Sequence, residues 1–371
     1  MTRLVGAVQD ITREHYREEG LRIRAEHYGG ADADPSLLDE VEAGLNRGEF
    51  VAYYQPIVDL RTHVVRGWEA LIRWQHPKRG FLLPGQFAPA LVHPATSAAI
   101  DEYMLKTSLS QMRRWLDDGV PVTCAGVNVS DAQLKLDDFA EHIFELLEQY
   151  QLTSDRLKLE VLETAFLGQQ TEAVARTIDR LAQGGVVSAL DDFGTGYASL
   201  THLKQFRVER IKIDRSFVAN LGFNTFDHAI VNCLATLGRD LGIRITAEGI
   251  ETAEQLRILR SMECDCGQGY LFSPPLTAAG VPDFLKKWHA GQAHQVFGCA
   301  EKRALEPAPY SKWAALDAAV LVSCFGKRAK SFVERLAQAE QNGALSDVFP
   351  EHHFECMLRD IDNVLTSSSE R

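Results

Sequence analysis

The feature that most constrains this fold is a regular alternation of short apolar runs with amphipathic segments between residues 31 and 291. Short strands that alternate with helices are typical of a mainly parallel sheet whose outer surface is covered by those helices. The clearest amphipathic helices are predicted over residues 131–151, 226–241 and 252–262. Eight runs have the composition of strands: Phe50–Ile57, Val64–Trp74, Val122–Val129, Leu157–Glu163, Val186–Asp191, Arg210–Asp214, Ile243–Glu248 and Gly269–Ser273.

The number and spacing of these strands favour a closed barrel. Eight strands suit a single (β/α) barrel, which typically needs about 250 residues. The alternative is an open doubly wound sheet, which would require a glycine-rich phosphate loop after the first strand, and YYQPIVDL provides none. Only residues 58–63 separate the first two strands, so these two should pair antiparallel. We therefore predict an α/β fold over residues 31–291, an imperfect (β/α)8 TIM-like barrel with one antiparallel strand.

The two ends of the chain differ in character from the barrel region. Residues 1–30 combine a strand-like run with a charged helical segment, and GAVQDIT with the helix after it resembles the closing strand and exit helix of a PAS sensor domain. The alternative is a simple N-terminal extension. Residues 292–371 contain a proline-bearing linker and two or three helical patterns, which predict a small C-terminal helical module of unknown role.

Charge and composition limit the classes of partner. The 39 Lys and Arg residues against 51 Asp and Glu give a formal net charge of −12, which argues against binding a DNA or RNA polymer. The seven cysteines are odd in number and form no CxxC pair, as expected in a reducing compartment. No apolar run approaches the roughly 20 residues that span a bilayer, and the N-terminus lacks a signal-peptide core. We expect a cytoplasmic chain without a membrane segment.

Polar residues fall at the carboxyl-terminal ends of almost every predicted strand. That end of a (β/α) barrel carries the active site in barrel enzymes, and a carboxylate inside an apolar strand is costly unless it is paired or metal-bound. The alternative is a set of unrelated structural ion pairs. The residues are Glu69, Asn128, Glu160, Glu163, Asp191, Asp192, Lys212, Glu248, Glu251 and Gln268.

This set is suited to binding divalent metal ions. Its ligands are oxygen donors, which suit Mg²⁺ or Mn²⁺ better than zinc. At a strand end, where the backbone turns, the adjacent Asp191 and Asp192 can reach a common site. Two metal ions about 4 Å apart are a standard device for clamping a phosphodiester. The sequence therefore predicts two divalent cations acting on a phosphate ester.

A series of motifs in fixed order resembles the EAL family of cyclic di-GMP phosphodiesterases over residues 35–290. The tripeptide Glu69-Ala70-Leu71 is the family signature, with YYQPIVDL before it and LIRWQHP after it. NVS, EVLE, DDFGTGYASL, KID, AEGIE and QGYLFSPP then follow in order. The resemblance implies hydrolysis of cyclic di-GMP to linear 5′-pGpG by in-line attack of a water activated by two metal ions. It also implies a role in bacterial second-messenger signalling and a homodimer, and the PAS-like start suggests an upstream sensor domain.

The resemblance implies a role for each matching residue. Lys212 matches the lysine that holds the attacking water, Glu248 the general base or water-mediated metal ligand, and Gln268 a glutamine close to that water. Asp191 and Asp192 match the acidic pair at the second metal. The ligands of the first metal match Glu69, Asn128, Glu160 and Asp191. Substrate contacts match Gln55, Leu71 and Arg73, and supporting glutamates match Glu163 and Glu251.

Some relatives keep the barrel but lose catalysis, so two other functions are considered. A catalytically silent cyclic di-GMP receptor or protein-interaction barrel usually has a broken EAL signature or a replaced lysine or base, and none is broken here. A structural barrel without ligand would leave the acidic residues unexplained. Two departures from the family pattern, Leu162 in place of threonine and Ala198 in place of serine, supply no metal ligand.

Overall fold

The computed structural model describes residues 34–166, 171–193 and 208–302. The PAS-like segment at residues 1–30 and the helical patterns beyond residue 302 lie outside the described residues, so both stay predictions. The match of Ala198 to the family loop also lies outside them.

The described residues form ten strands and eleven α-helices. The strands are β1 Phe50–Asp59, β2 Val65–His76, β3 Gly80–Leu82, β4 Ala125–Val129, β5 Leu157–Leu162, β6 Val187–Phe193, β7 Arg210–Ile213, β8 Arg244–Ala247, β9 Cys266–Gly267 and β10 Leu276–Thr277. The helices are α1 Pro35–Asn46, α2 Ala88–Val92, α3 Pro94–Asp117, α4 Asp131–Leu134, α5 Phe139–Gln149, α6 Thr171–Gln183, α7 Arg215–Ala219, α8 Thr225–Leu241, α9 Ala253–Ser261, α10 Gly280–Lys287 and α11 Ala293–Lys302.

Eight of the strands close into a barrel. Strands β2, β4, β5, β6, β7, β8 and β9 pair parallel in that order. β1 pairs antiparallel with both β2 and β9 and so completes the ring. The short strands β3 and β10 extend β2 and β1 as antiparallel additions. The barrel and the antiparallel pairing of the first two strands are thus confirmed, and the open sheet is excluded.

The core lies between the outer face of the barrel and the helices. Alternate residues of β2 face outward, and Trp68 and Trp74 are fully buried there. α3 packs over this part of the barrel and buries Leu105 and Leu109 on its inner face. The Phe50 and Trp74 rings stack with centroids 4.7 Å apart. Complete burial of such side chains stabilises the fold by about 1.5–3 kcal/mol each, which fixes which strand face points into the barrel.

The final predicted strand is wrong. β9 is Cys266–Gly267, and the predicted strand Gly269–Ser273 is a turn in which the Phe272 and Ser273 N–H groups both donate to the Gly269 carbonyl. Gly269 has φ +154°, and a Cβ there would lie 2.2 Å from the Ile250 carbonyl oxygen. The aromatic and apolar composition of this segment therefore reflects packing of a turn rather than a strand. The other seven predicted strands agree with the structure to within three residues at each end.

One predicted helix is two helices in the structure. The segment 131–151 divides into α4 and α5, with a break at residues 135–138. The break contains Asp137 and Asp138, and aspartate favours helix starts over helix interiors. Helices 226–241 and 252–262 are confirmed as α8 and α9 within one residue at each end. In the part of the chain described, no helix is both long and apolar enough to cross a membrane.

The chain continues to pack on the barrel after α10. The Phe297 ring of α11 stacks on the His63 ring at 3.6 Å and lies 6.0 Å from the Phe272 ring. The Trp288 indole N–H donates to the His63 carbonyl at 2.8 Å. These contacts attach α11 to the turn between β1 and β2.

Candidate active site

The parallel strands bring their polar residues together at one mouth of the barrel. Glu69 of β2 lies beside Gly126 of β4 in the register, and Asn128 lies beside Glu160 of β5. Asp191 of β6 lies beside Leu162, two positions above the level of Glu160 and Ala189. Equivalent positions on parallel strands face the same side, so these side chains converge on the barrel axis.

A single buried ammonium lies at the centre of this group. The Lys212 side chain is 1% exposed, and its Nζ lies 2.6 Å from an oxygen of Glu160 and 2.6 Å from an oxygen of Glu248. The same Nζ lies 3.2 Å from Asp191 Oδ1 and 3.4 Å from Glu69 Oε2. Asp192 lies close to two of these four carboxylates, Asp191 and Glu248. We call Lys212 and the five carboxylates together the acidic ring; these carboxylates are Glu69, Glu160, Asp191, Asp192 and Glu248.

A chain of amides holds Glu69 in place. Asn128 Nδ2 donates to Glu69 Oε1 at 3.2 Å, and Gln268 Nε2 donates to Glu69 Oε2 at 2.5 Å. Gln268 Nε2 also donates to Gln55 Oε1 at 2.9 Å, and Gln55 Nε2 donates to the Ser273 carbonyl at 3.0 Å. Both oxygens of Glu69 are therefore oriented by neighbouring side chains, which fixes the carboxylate plane.

The backbone turn at the end of β6 lets two adjacent carboxylates enter the ring. Asp192 has φ +54°, and the β6–β7 register shifts between Leu190 and Phe193. Without this turn, neighbouring residues of a strand would point to opposite faces. Asp191 belongs to two groups whose oxygens lie within 4.8 Å of one another, one with Glu69 and Glu160 and one with Asp192 and Glu248. Two cation positions would therefore share Asp191.

Burial and mutual repulsion alter the protonation of the ring. Burial raises the pKa of Glu160 well above 4.5, and the Glu69 and Asp191 carboxylates raise it further. Burial also raises the pKa of Glu248 well above its ordinary value, against the attraction of Lys212. For Glu69 the burial effect is outweighed by Lys212 and by the hydrogen bonds from Gln268 and Asn128, so its pKa is lowered. Burial lowers the pKa of Lys212, but Asp191 and the other carboxylates reverse this and raise it well above 10.5.

The donor set of the ring fits divalent cations. Fully ionised, its five carboxylates and one ammonium carry a formal charge of −4, which two divalent cations would balance. All the candidate ligands are oxygens, as Mg²⁺ and Mn²⁺ prefer. In addition, Gln268 Oε1 is buried with no hydrogen-bond partner among the described residues, so the ring can accept one more donor such as water.

The remaining predicted site residues lie at different distances from the ring. Glu163 is buried in the turn that follows β5, directly after the strand that carries Glu160. Glu251 is exposed two residues before α9, where its backbone N–H donates to Gln255 Oε1 at 2.8 Å, so the structure does not place its side chain in the ring. Leu71 and Arg73 follow Glu69 on the same face of β2, further out along the barrel mouth.

Two aromatic residues beside Arg73 were not predicted as site residues. Arg73 Cζ lies 5.8 Å from the centroid of the Tyr53 ring, and Arg73 Nη1 donates to the Ile72 carbonyl at 2.8 Å. The Tyr53 ring packs against the exposed Phe81 ring with centroids 5.4 Å apart. The sequence does contain a signal for Tyr53. It lies two residues before Gln55 in the same predicted strand, and alternate residues of a strand share a face, so Tyr53 is expected on the same side of the barrel as Gln55.

Gly126 makes room for Glu160, and we expect Gly126→Ala to displace that carboxylate. A Cβ at position 126 would lie 2.2 Å from Glu160 Oε1, so the Glu160 side chain must move. Overpacking of this kind costs about 1–3 kcal/mol of stability. The expected result is weakened Mn²⁺ binding by calorimetry together with a lower melting temperature. Gly298→Ala is the matched control because no atom of the residues that the structure describes lies within 4 Å of a Cβ there. Unchanged Mn²⁺ affinity in Gly126→Ala would contradict this packing.

Comparison with known proteins agrees with this geometry. The sequence profile of the EAL domain family matches residues 37–275. The chain belongs to the EAL domain family. This confirms the resemblance drawn from the motifs, and neither the match nor the described residues extend to the PAS-like segment.

Similar proteins carry this EAL domain in longer chains. The bifunctional diguanylate cyclase/cyclic di-GMP phosphodiesterase MucR of Pseudomonas aeruginosa is 36% identical over 242 residues, which cover 65% of this chain and 35% of MucR. The cyclic di-GMP phosphodiesterase NbdA of the same organism is 32% identical over 263 residues, covering 70% of this chain and 33% of NbdA. The chain thus spans about a third of the length of these relatives.

A solved structure shares the same fold. The MucR phosphodiesterase of P. aeruginosa in complex with c-di-GMP superposes with a TM-score of 0.63 at 35% identity, covering 66% of this chain and 99% of that one. The EAL domain of this chain is thus similar to a domain solved with that dinucleotide.

Proposed function

We propose that this EAL domain is a metal-dependent, cyclic-guanylate-specific phosphodiesterase that hydrolyses cyclic di-GMP to linear 5′-pGpG in bacterial second-messenger signalling. The observation that carries the proposal is the intact acidic ring, in which the buried Lys212 ammonium pairs with four of the five carboxylates. The names of the relatives MucR and NbdA support the substrate.

The ring offers ligands for two divalent cations, Mg²⁺ or Mn²⁺. Two such ions would activate a water molecule and neutralise charge on the phosphate oxygens. Asp191 and Asp192 would serve the second ion, and Glu248 would contact the metals directly or through water. The first ion would be held by Glu69, Asn128, Glu160 and Asp191.

The protein groups around the ring would direct the water. Because Lys212 has a raised pKa, it stays protonated and donates hydrogen bonds, so it orients the water rather than accepting its proton. Glu248 has a raised pKa and a half-buried side chain, which suits a general base. Gln268 Oε1, which has no hydrogen-bond partner in the described part of the chain, can accept a hydrogen bond from the same water.

Residues of β1 and β2 next to the ring would hold the substrate. Arg73 carries a permanent positive charge suited to a phosphate oxygen, and Leu71 gives an apolar contact on the same strand face. Gln55 lies opposite Glu69 in the β1–β2 register, so it can contact the dinucleotide next to the reacting phosphate. Glu163 and Glu251 would support the adjoining loops.

Turnover and binding measured on the same sample distinguish an enzyme from a silent receptor. The purified chain is incubated with cyclic di-GMP and Mg²⁺ or Mn²⁺, and the nucleotides are separated by chromatography. We expect metal-dependent appearance of 5′-pGpG. Saturable binding of cyclic di-GMP that remains intact with both metals would contradict the enzyme and support the receptor.

Metal binding should release protons and strengthen as the pH rises. The raised pKa values of Glu160 and Glu248 mean that these carboxyls hold protons which entering cations displace. In the metal-free protein these two carboxyls contribute stability below pH 4.5, the pKa that they have in the unfolded chain. This stability is lost as the pH rises through their raised pKa values in the folded protein. Calorimetry of Mn²⁺ binding in buffers of different ionisation enthalpy measures the protons released. Affinity that is independent of pH would contradict the protonation state described.

Other features implied by the family stay predictions. These are the homodimer, an upstream sensor domain, the cytoplasmic location and the role of the C-terminal helical module. Sedimentation of the purified chain at several concentrations tests the homodimer directly.

A further inference from the structure

A buried carboxylate outside the acidic ring contacts the strand that carries Asn128. Asp101 lies on α3, on the outside of the barrel, and is only 8% exposed. Its Oδ2 accepts a hydrogen bond of 2.7 Å from the backbone N–H of Ser130. Ser130 is two residues after Asn128, at the point where β4 has ended and α4 begins.

The Asp101–Ser130 hydrogen bond lies just beyond the point where β4 stops pairing with β2. The pairing of β4 with β2 ends at Val127, opposite Ala70. On the other side, the pairing with β5 continues only to Val129, opposite Val161. Asn128 is exposed, and it has β-ladder support only on the side of β5. The Asp101–Ser130 bond replaces the missing support immediately beyond it.

A second contact holds the same segment to the same helix. Gln133 Nε2 donates to the Ala98 carbonyl at 3.0 Å, one helical turn before Asp101 on α3. The segment Ser130–Leu134 is thus fixed to α3 at two points. The position of this segment relative to the barrel is therefore set by its two hydrogen bonds to α3.

Burying the Asp101 carboxyl group lowers the stability of the fold. Burial raises the pKa of Asp101 to about 7, the neighbouring Asp131 adds to this effect, and the bonds from Ser130 oppose it. A buried carboxyl costs stability that an apolar residue would not. The hydrogen bond from the Ser130 backbone N–H offsets part of this cost at a point two residues from Asn128.

We propose that Asp101 is a positioning residue that holds Asn128 in the geometry needed for metal binding, through the backbone N–H of Ser130. The inference rests on the proposed metal-dependent function, because Asn128 acts there as a metal ligand. Removing a group that orients a metal-ligating side chain without contacting the metal typically lowers metal affinity by about 10–100-fold. Asp101 itself contacts neither substrate nor metal.

Mn²⁺ binding to the purified chain, measured by calorimetry and by the electron paramagnetic resonance of free Mn²⁺, tests the proposal. Asp101→Leu keeps the size of the side chain but removes the acceptor, and we expect it to weaken Mn²⁺ binding by about 10-fold or more. Asp101→Asn retains an acceptor oxygen and should bind Mn²⁺ within about 3-fold of the original chain, a rescue that loss of packing would not give.

Two further variants separate positioning from general destabilisation. Leu105→Ala removes a fully buried side chain one turn along α3, so it should lower the melting temperature without changing Mn²⁺ affinity. Ser130→Pro removes the donor instead of the acceptor, and the Ser130 φ of −75° is compatible with proline. It should weaken Mn²⁺ binding as Asp101→Leu does, and it supplies the test if Asp101→Leu does not fold.

The outcomes distinguish this inference from the function on which it rests. Unchanged Mn²⁺ affinity in Asp101→Leu or Ser130→Pro would overturn the positioning role while leaving the metal site intact. Equal weakening in Leu105→Ala would overturn it as well, since any loss of stability would then have the same effect. If the unsubstituted chain binds no Mn²⁺, the proposed metal site fails and the inference fails with it.

Discussion

Glu69→Gln should lower the rate of cyclic di-GMP hydrolysis by about 10³-fold or more, because a metal ion contributes several kcal/mol of transition-state stabilisation and each 1.36 kcal/mol corresponds to about 10-fold in rate. The substitution keeps the shape of the side chain but removes its charge. It also places an amide against Gln268 Nε2 and Lys212 Nζ, which both act as donors toward Glu69 Oε2. The ring would then lack both an anionic ligand and the hydrogen-bond pattern that orients it.

Kinetics and melting temperature together check this expectation. The rate of 5′-pGpG formation is measured at saturating Mn²⁺, and the melting temperature is measured with a chelator present. Glu40→Gln is the matched control. Glu40 lies on α1, away from the ring, and its Oε1 lies 2.7 Å from His76 Nε2. It should hydrolyse cyclic di-GMP at the original rate. Comparable rates in Glu69→Gln and the original chain would show that Glu69 is not part of the active site.

Lys212→Met should lower the rate of hydrolysis by at least about 10²–10³-fold and make the stability of the fold strongly dependent on metal. Lys212 is the cation that four buried or half-buried carboxylates share. Removing one partner of a buried ion pair costs about 3–5 kcal/mol, because it leaves charge without compensation. The loss of a donor that orients the reacting water costs a further factor of about 10²–10³ in rate.

The stability effect has a definite dependence on pH and metal. Without metal, the Lys212→Met carboxyls should take up protons, so the variant should be least stable at high pH, where those protons are lost. Saturating Mg²⁺ should restore much of the melting temperature but not the activity. Lys106→Met is the control, because Lys106 pairs with Glu102 on the outer surface of α3. A Lys212→Met variant with ordinary turnover would contradict the role given to the ammonium.

The convergence of the acidic ring was predictable because strand ends in a parallel barrel meet at one mouth. The sequence places Glu69, Glu160 and Lys212 in apolar strands, and the register of those strands then brings them together. The entry of both Asp191 and Asp192 into the ring was also predictable from their position at a strand end. The site roles themselves stay predictions until the variants are measured.

Other features depended on tertiary contacts that leave no periodic signal. Gly269–Ser273 has the composition of a strand, yet the close approach of Gly269 to Ile250 requires a turn. Asp101 lies within the helical pattern of α3, and nothing in that pattern shows that it faces the N–H of Ser130. Arg73 was expected to contact substrate, but its stacking near Tyr53 follows only from the β1–β2 register.

The most direct test of the proposed activity is hydrolysis of cyclic di-GMP in water enriched in ¹⁸O, with Mn²⁺ present and the nucleotides analysed by mass spectrometry. Attack of water on phosphorus predicts 5′-pGpG that carries one ¹⁸O in its terminal phosphate, and none of this product when Mn²⁺ is removed by a chelator. Cyclic di-GMP that remains intact, or linear product without the label, would contradict the account.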